Sequence, residues 1–270
     1  MDRAEQGARV TLVMCVYNQV ALTRACLDSL WATTEAFELV VIDNGSTDGT
    51  RQLFERFPYP FPLQYAAGDN RSVIAQLNRG WRLAATEVVC FLHNDTEMIE
   101  PTWLTRLLAA LDTPGVGLAG LYGAKRVRRN GRFAGGTIVH SLAEGPTVRP
   151  PWEEVTVVDA VCLCLPRVRL EAVGWLDEGY GFFHGLDRDL SFAVREQGLR
   201  CVVVHAPFHH RGGGTRTREF AADPERERAD LADRDAVLAR FATKWARRLP
   251  ADVRPLGRRV RDWLAGDDSR

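Results

Sequence analysis

The chain has 270 residues, 46% hydrophobic and 26% charged, enough apolar material for one large α/β domain or two small ones. Lys plus Arg (35) equals Asp plus Glu (35), so the basic excess of a bulk nucleic-acid binder is missing and no nucleic-acid partner is expected. The stretch MDRAEQGARV lacks the apolar core of a secretion signal, and no apolar run nears the ~20 residues of a membrane helix. A cytoplasmic location follows as an expectation, with contact at the inner face of the membrane left open.

Five strands are predicted early: Val10 to Val16, Glu38 to Asp43, Leu63 to Ala66, Glu87 to Leu92 and Val116 to Leu121. Helical periodicity fills most gaps between them. Ala21 to Trp31 puts Leu22, Ala25, Cys26, Ser29 and Leu30 on one face. Thr50 to Phe57 is shorter, Ser72 to Ala85 follows Asn70, and Trp103 to Leu111 follows Pro101. Alternating β and α elements predict an α/β fold with a mostly parallel sheet flanked by helices.

From Lys125 to Trp152 the pattern weakens to loops and a hairpin. Val155 to Leu165 reads as one strand, and Pro166 opens a short helix to Val173. Asp187 to Gln197 reads as a helix closed by Gly198, and Arg200 to His205 as a strand. Arg211 to Thr217 is Gly-rich, and charged amphipathic helices follow Pro224. The cysteines, at 15, 26, 90, 162, 164 and 201, form no C-x-x-C pair, so buried free thiols are expected.

Parallel sheets bind ligands beyond the carboxyl ends of their strands. Three such ends are polar: Tyr17-Asn18, Asp43 to Asp48, and His93-Asn94-Asp95. Asp43 could accept hydrogen bonds from a base or a ribose, or simply form a turn with Asn44-Gly45-Ser46. Asp95, directly after an apolar strand, suits a hard divalent cation, or alternatively a helix cap at Asp95 or Thr96. Asp187 stands at a helix start, where the dipole favours a carboxylate that can take a proton; capping is the plain alternative. His210 is a candidate metal ligand, and Arg211, Arg216 and Arg218 are candidate diphosphate partners beside a triple glycine. A mobile loop with incidental histidines is the other reading of that segment.

The order of these clusters resembles the family 2 glycosyltransferases of the GT-A, Rossmann-like fold. The likeness rests on Val16-Tyr17-Asn18, on Val40 to Thr50, and on Asn70 with Asn78 and Gly80. It continues through Phe91-Leu92-His93-Asn94-Asp95, Gly174 to Glu178, Leu186 to Leu190 and His210 to Gly214. Bacterial rhamnosyl- and related transferases are the nearest pattern. The resemblance implies an inverting, Mn²⁺- or Mg²⁺-dependent transfer from a UDP-, dTDP- or GDP-sugar donor to a glycan or glycolipid acceptor in surface polysaccharide synthesis. It also implies that Val16, Tyr17, Asn18, Asp43, Asn44, Gly45, Asn70, Asn78, Asn94, Asp95 and Arg211 contact the nucleotide sugar. Asp95 and His210 would hold the metal and Asp187 would be the base. Two departures stand out: His93 where Asp is common, and Leu186 where Glu is common, with Asp189 as second candidate for the base.

The resemblance divides the chain into a catalytic domain over 1–220 and a helical extension over 221–270. The nucleotide half of the catalytic domain would cover 8–122 and the acceptor half 123–220. Two rivals remain. A nucleotidyltransferase would need a Gly-rich, basic loop after the first strand, where Tyr17-Asn18-Gln19 stands instead. A non-catalytic nucleotide-sugar-binding module would tolerate the changes at 93 and 186. In the tail, Phe241, Trp245, Leu249, Leu256, Val260 and Trp263 interleave with basic residues. Such a face packs on the core or on a second subunit as a homodimer, or else lies on an anionic membrane; packing is the commoner use.

Overall fold

The computed structural model describes residues 7–56, 58–212 and 223–264. Strands β1 (Val10–Val16), β2 (Phe37–Asp43), β3 (Leu63–Ala67) and β4 (Val88–Leu92) run parallel, side by side, with β1 between β4 and β2. Strands β1, β2 and β4 are nearly all apolar because both faces are covered, whereas the edge strand β3 is only partly buried. In β1, Leu12 and Met14 belong to one core layer and Val13 to the other. Helices α1 (Val20–Leu30), α2 (Thr50–Arg56) and α3 (Val73–Leu83) return the chain between these strands. Ser72 caps α3 by accepting from Ala75 N.

The short strand β5 (Thr96–Met98) follows β4, and α4 (Trp103–Leu111) leads to β6 (Val116–Gly120). Thr96 therefore opens a strand and Asp95 sits in the turn before it, which removes the helix-capping alternative for both. The weakly patterned middle forms β7 (Tyr122–Ala124), β8 (Arg126–Val127) and β9 (Ile138–His140).

The run Val155 to Leu165 is not one strand. It divides into the end of β10 (Trp152–Val155), then β11 (Val157–Val158), then β12 (Cys162–Pro166). The breaks fall at Thr156, whose hydroxyl donates to Lys125 O, and at Asp159, whose carboxylate accepts from Val161 N. Buried residues flank both breaks, so hydrophobicity carried no contrast to mark them. Helix α5 (Arg167–Ala172), a 3₁₀ turn at Glu178–Tyr180, α6 (Leu186–Glu196), β13 (Arg200–Val204) and β14 (Phe208–His210) follow.

The main sheet has the order β10-β13-β6-β12-β4-β1-β2-β3. It is parallel except where β12 runs against β4 and β6, and β10 against β13. Two smaller ladders matter for function. Strand β14 pairs antiparallel with β5. Strand β15 (Ala251–Asp252), between α7 (Pro224–Lys244) and α8 (Leu256–Leu264), pairs with β8.

The tail corrects the single apolar stripe read from sequence. Phe241 is fully buried and meets Phe192 edge-on, ring centroids 4.9 Å apart. Leu249 is buried and Trp245 packs against the same layer, whereas Leu256 and Val260 are exposed. The Trp263 side chain lies outside the described residues. Among the described residues no helix is long and apolar enough to cross a membrane. All six cysteines are free, five of them buried and Cys15 partly so.

Because α7 is part of the core, Phe241→Ala is expected to lower stability by about 3–5 kcal/mol in urea unfolding, as large-to-small changes at buried aromatics do. A change below about 1 kcal/mol would mean that α7 is only loosely attached.

Candidate active site

The carboxyl ends of β1, β2 and β4 deliver Val16, Asp43 and His93-Asn94-Asp95 to one edge of the sheet. Antiparallel β12 starts at that edge, with Cys162 opposite Leu92, so Asp159 just before it lies there too. The β5–β14 ladder then sets His210 opposite Thr96, beside Asp95.

The result is a cluster of His93, Asp95 and His210 whose ligand atoms all lie within 4.8 Å of one another. His210 Nε2 is 3.3 Å from Asp95 Oδ1, and His93 Nδ1 is 3.8 Å from it. Burial pushes the Asp95 carboxyl up, but the hydrogen bond from His210 and the charges of both imidazoles outweigh it and hold it at about 2. Burial likewise pushes His210 down, and Asp95 reverses the direction, so His210 ends above its ordinary value. Two imidazole nitrogens and one carboxylate at this spacing fit a divalent transition ion. Sequence reading took His93 as a lost ligand; the structure makes it the third member of the cluster.

Asp187 lies in the first turn of α6 and does not cap it. The cap residue is Gly185, at φ +84°, where a Cβ would meet Val237 at 2.5 Å and Tyr180 at 2.8 Å. The Asp187 carboxylate is buried but not sealed, with 8% side-chain exposure and Arg188 Nη1 at 3.5 Å. Ser191 Oγ accepts from Val158 N, which holds α6 against β11 one residue before Asp159. Asp159 links the two groups of acids. Burial, and then the charge of Asp187, push its carboxyl up, while His93 pulls it down. His210 in turn feels Asp159. Asp159 is thus coupled in charge to Asp187 on one side and to His93 and His210 on the other. Asp159 was missed from sequence, although it is the only charged residue between Val155 and Leu165, which was signal enough.

Asp189 faces elsewhere. Its carboxylate accepts from Tyr180 Oη (2.9 Å), Lys244 Nζ (2.9 Å) and Trp245 Nε1 (2.8 Å). It lines a separate cavity of about 620 Å³ with Trp175, Asp177 and Trp245. Those bonds fasten α7 to α6, and Asp177 adds ion pairs to Arg240 and Lys244.

The expected nucleotide contacts divide by geometry. Asp43 is buried; Oδ1 accepts from Ser46 N and Oδ2 from Tyr65 Oη at 2.6 Å, so it closes the turn at the edge it occupies. Burial, then this bond, push the Tyr65 hydroxyl up and keep it a donor. Asn18 has φ +51° and Gln19 +58°, both in the left-handed region that side chains seldom adopt. Asn18 Oδ1 accepts from Thr47 N, and Asn18 N donates to Ser46 Oγ. These two loops line a cleft of about 410 Å³ with Val20, Ala21 and Asp48. Val16 is buried at the strand end and Tyr17 beside it is half-buried. Gly45, at φ +90°, lets Asn70 N approach to 3.2 Å of a would-be Cβ.

Four residues are held within the protein. Asn44 bonds the backbone of Arg71 and the Gln76 amide. Asn78, fully buried, bonds Leu176, Glu178 and Trp81 and fixes the 174–180 turn on α3. Asn94 donates to Thr23 Oγ1. Arg211 forms a two-pronged pair with Glu97, with Nε–Oε1 at 2.7 Å. Asn70 is exposed. Arg216, Arg218 and the glycines at 213 and 214 lie outside the described residues.

A mixed sheet with a Rossmann-like parallel half, a metal-type cluster past its fourth strand and an acid at a later helix start defines the GT-A class of fold. Residues 11–142 match the family model described as glycosyl transferase family 2. The O-antigen biosynthesis protein RfbC of Myxococcus xanthus is 28% identical over 229 residues, which cover 77% of this chain and 18% of that protein. Validoxylamine A glucosyltransferase of Streptomyces hygroscopicus subsp. jinggangensis is 27% identical over 243 residues, 78% of this chain and 57% of that one. The chain thus spans about a fifth to somewhat over half of these curated relatives. The mannosyltransferase PcManGT from Pyrobaculum calidifontis, solved with GDP-Man and Mn²⁺, superposes with a TM-score of 0.52 at 19% identity. That match covers 95% of this chain and 79% of the other, and at such identity it is a likeness of fold.

Two outcomes are expected. Losing a metal ligand costs at least the 10–100-fold that loss of an outer partner costs, so His210→Ala or His93→Ala should weaken Mn²⁺ binding by about 100-fold in calorimetry. Unchanged affinity in both would remove the cluster as a metal site. Asp189→Asn should lower stability by about 1–3 kcal/mol in urea unfolding, because Lys244 loses one of its two carboxylate partners, with Mn²⁺ affinity unaltered.

Proposed function

We propose that the protein is a metal-dependent, inverting glycosyltransferase. It moves a sugar from a nucleotide-diphosphate donor to a hydroxyl of a glycan or glycolipid acceptor. The observation that carries this reading is the His93–Asp95–His210 cluster at the carboxyl edge of the sheet, with Asp159 at the same edge coupled in charge both to it and to Asp187. RfbC, a protein of O-antigen biosynthesis, supports a role in surface polysaccharide assembly.

A divalent cation held by His93, Asp95 and His210 would neutralise charge gathering on a departing diphosphate. Between the two ions expected, Mn²⁺ suits the set better than Mg²⁺, which prefers oxygen ligands in a regular octahedron. The rest of the chemistry belongs to the chain. Asp187, one helix start away and partly shielded from water, accepts the proton of the acceptor hydroxyl at a carboxylate oxygen as the new bond forms. Attack from the face opposite the diphosphate inverts the anomeric centre. The Asn18–Gln19 loop and the Asp43 turn border the cleft for the nucleoside, and Tyr65 orients the Asp43 carboxylate. Asp189 is left out of the chemistry by its three bonds to Tyr180, Lys244 and Trp245.

General-base catalysis contributes about 10²–10⁴-fold, so Asp187→Asn should reduce Mn²⁺-dependent sugar transfer or donor hydrolysis by that factor with donor affinity nearly intact. Full activity in that variant would sink the assignment. Donor binding without turnover in the parent protein, across a panel of nucleotide sugars, would favour a non-catalytic module.

A further inference from the structure

We infer that α8 is a docking face for an anionic lipid surface. Leu256, Val260 and Leu264 are 70%, 44% and 71% exposed, the reverse of Phe241 and Leu249 only a few residues earlier. At about 100° per residue they fall within one sector about 80° wide. Arg259 and Arg261 flank that sector, one on each side, Arg258 lies on the opposite face, and all three are exposed. An aliphatic stripe with arginines around it is the build of a helix that lies in a membrane interface.

The root of this helix is fixed. Strand β15 pairs with β8, Ala251 opposite Val127 and Asp252 opposite Arg126. Arg254 clasps the Asp252 carboxylate, with Nη2–Oδ2 at 2.8 Å and each side chain only 11% exposed. The helix that follows is therefore rooted on the β8–β15 ladder, and its apolar sector is turned to solvent.

Charge selects the occupant. Two copies pressed together along this stripe would bring the flanking Arg259 and Arg261 of each, four like charges, into one small interface. An anionic bilayer takes up the aliphatic sector and neutralises the arginines together. The inference goes beyond the transfer reaction and does not depend on it.

The test is co-sedimentation of the full chain with vesicles of neutral phosphatidylcholine, or of phosphatidylcholine and phosphatidylglycerol at about 3:1. Binding to the anionic vesicles alone is expected, weakening as salt rises from about 0.05 M to about 0.5 M and the screening length shrinks. Each of Arg259→Gln and Arg261→Gln should cut partitioning roughly fivefold, and Arg258→Gln on the far face less. The triple change L256S/V260S/L264S should abolish it. Circular dichroism and Mn²⁺ binding of these variants should match the parent, which separates a lost docking face from a lost fold or a lost metal site. The inference is overturned if the parent stays in the supernatant with anionic vesicles, or if the triple variant binds them as well as the parent. It is equally overturned if light scattering finds a dimer that the triple change dissolves, with no vesicle binding.

Discussion

The register of a two-stranded ladder governs the candidate active site. Pairing β14 with β5 puts His210 opposite Thr96 and its imidazole against Asp95. A slip of one residue would turn His210 to the other face and bring His209 in its place. His209 instead bonds Glu144. The ladder is short, so its register depends on what surrounds it. Phe208 is fully buried in the core, and Arg211 locks the strand end by a backbone bond to Asp95 and a paired contact with Glu97. An arginine expected to meet a diphosphate thus also secures the strand that carries the metal-type ligand.

The same division of labour recurs along α6. Asp187 and Asp189 are two residues apart, about 200° around the helix, so they address different neighbours. One acts by its charge on Asp159. The other accepts three bonds that tie α6 to the turn before it and to α7. Placement of the first acid therefore relies on the second, because α7, through Phe241 and Lys244, presses α6 onto the sheet. Asn78 works in the same way from α3, holding the 174–180 turn by its backbone and by Glu178. Several polar residues that punctuate the family pattern stabilise the shape of the cleft.

Much of the architecture was legible because its strands are apolar on both faces and its helices return at short intervals. Strand ends at Val16, Asp43 and Leu92 fell where the polar clusters begin, since a buried parallel strand stops where the chain meets water. The pattern failed at Val155 to Leu165, where turns at Thr156 and Asp159 are themselves enclosed by the core. It also failed in the tail, where one helical period ran through residues that the fold sends to different places. Burial of Leu249 and exposure of Leu256 differ in surroundings, not in residue type.

Sequence alone determined the fold class, the sheet edge at which to look, and the acids and imidazole with chemistry to offer. Those follow from local composition, which the order of residues fixes directly. Only the tertiary structure decided that His93 joins Asp95 and His210, that Asp159 stands at the same sheet edge, that Asp189 belongs to the α7 dock, and that α8 stands apart from the core. Each of these depends on the meeting of segments tens to more than a hundred residues apart, and on which face of a helix a neighbour covers. Spacing along a chain carries no measure of either.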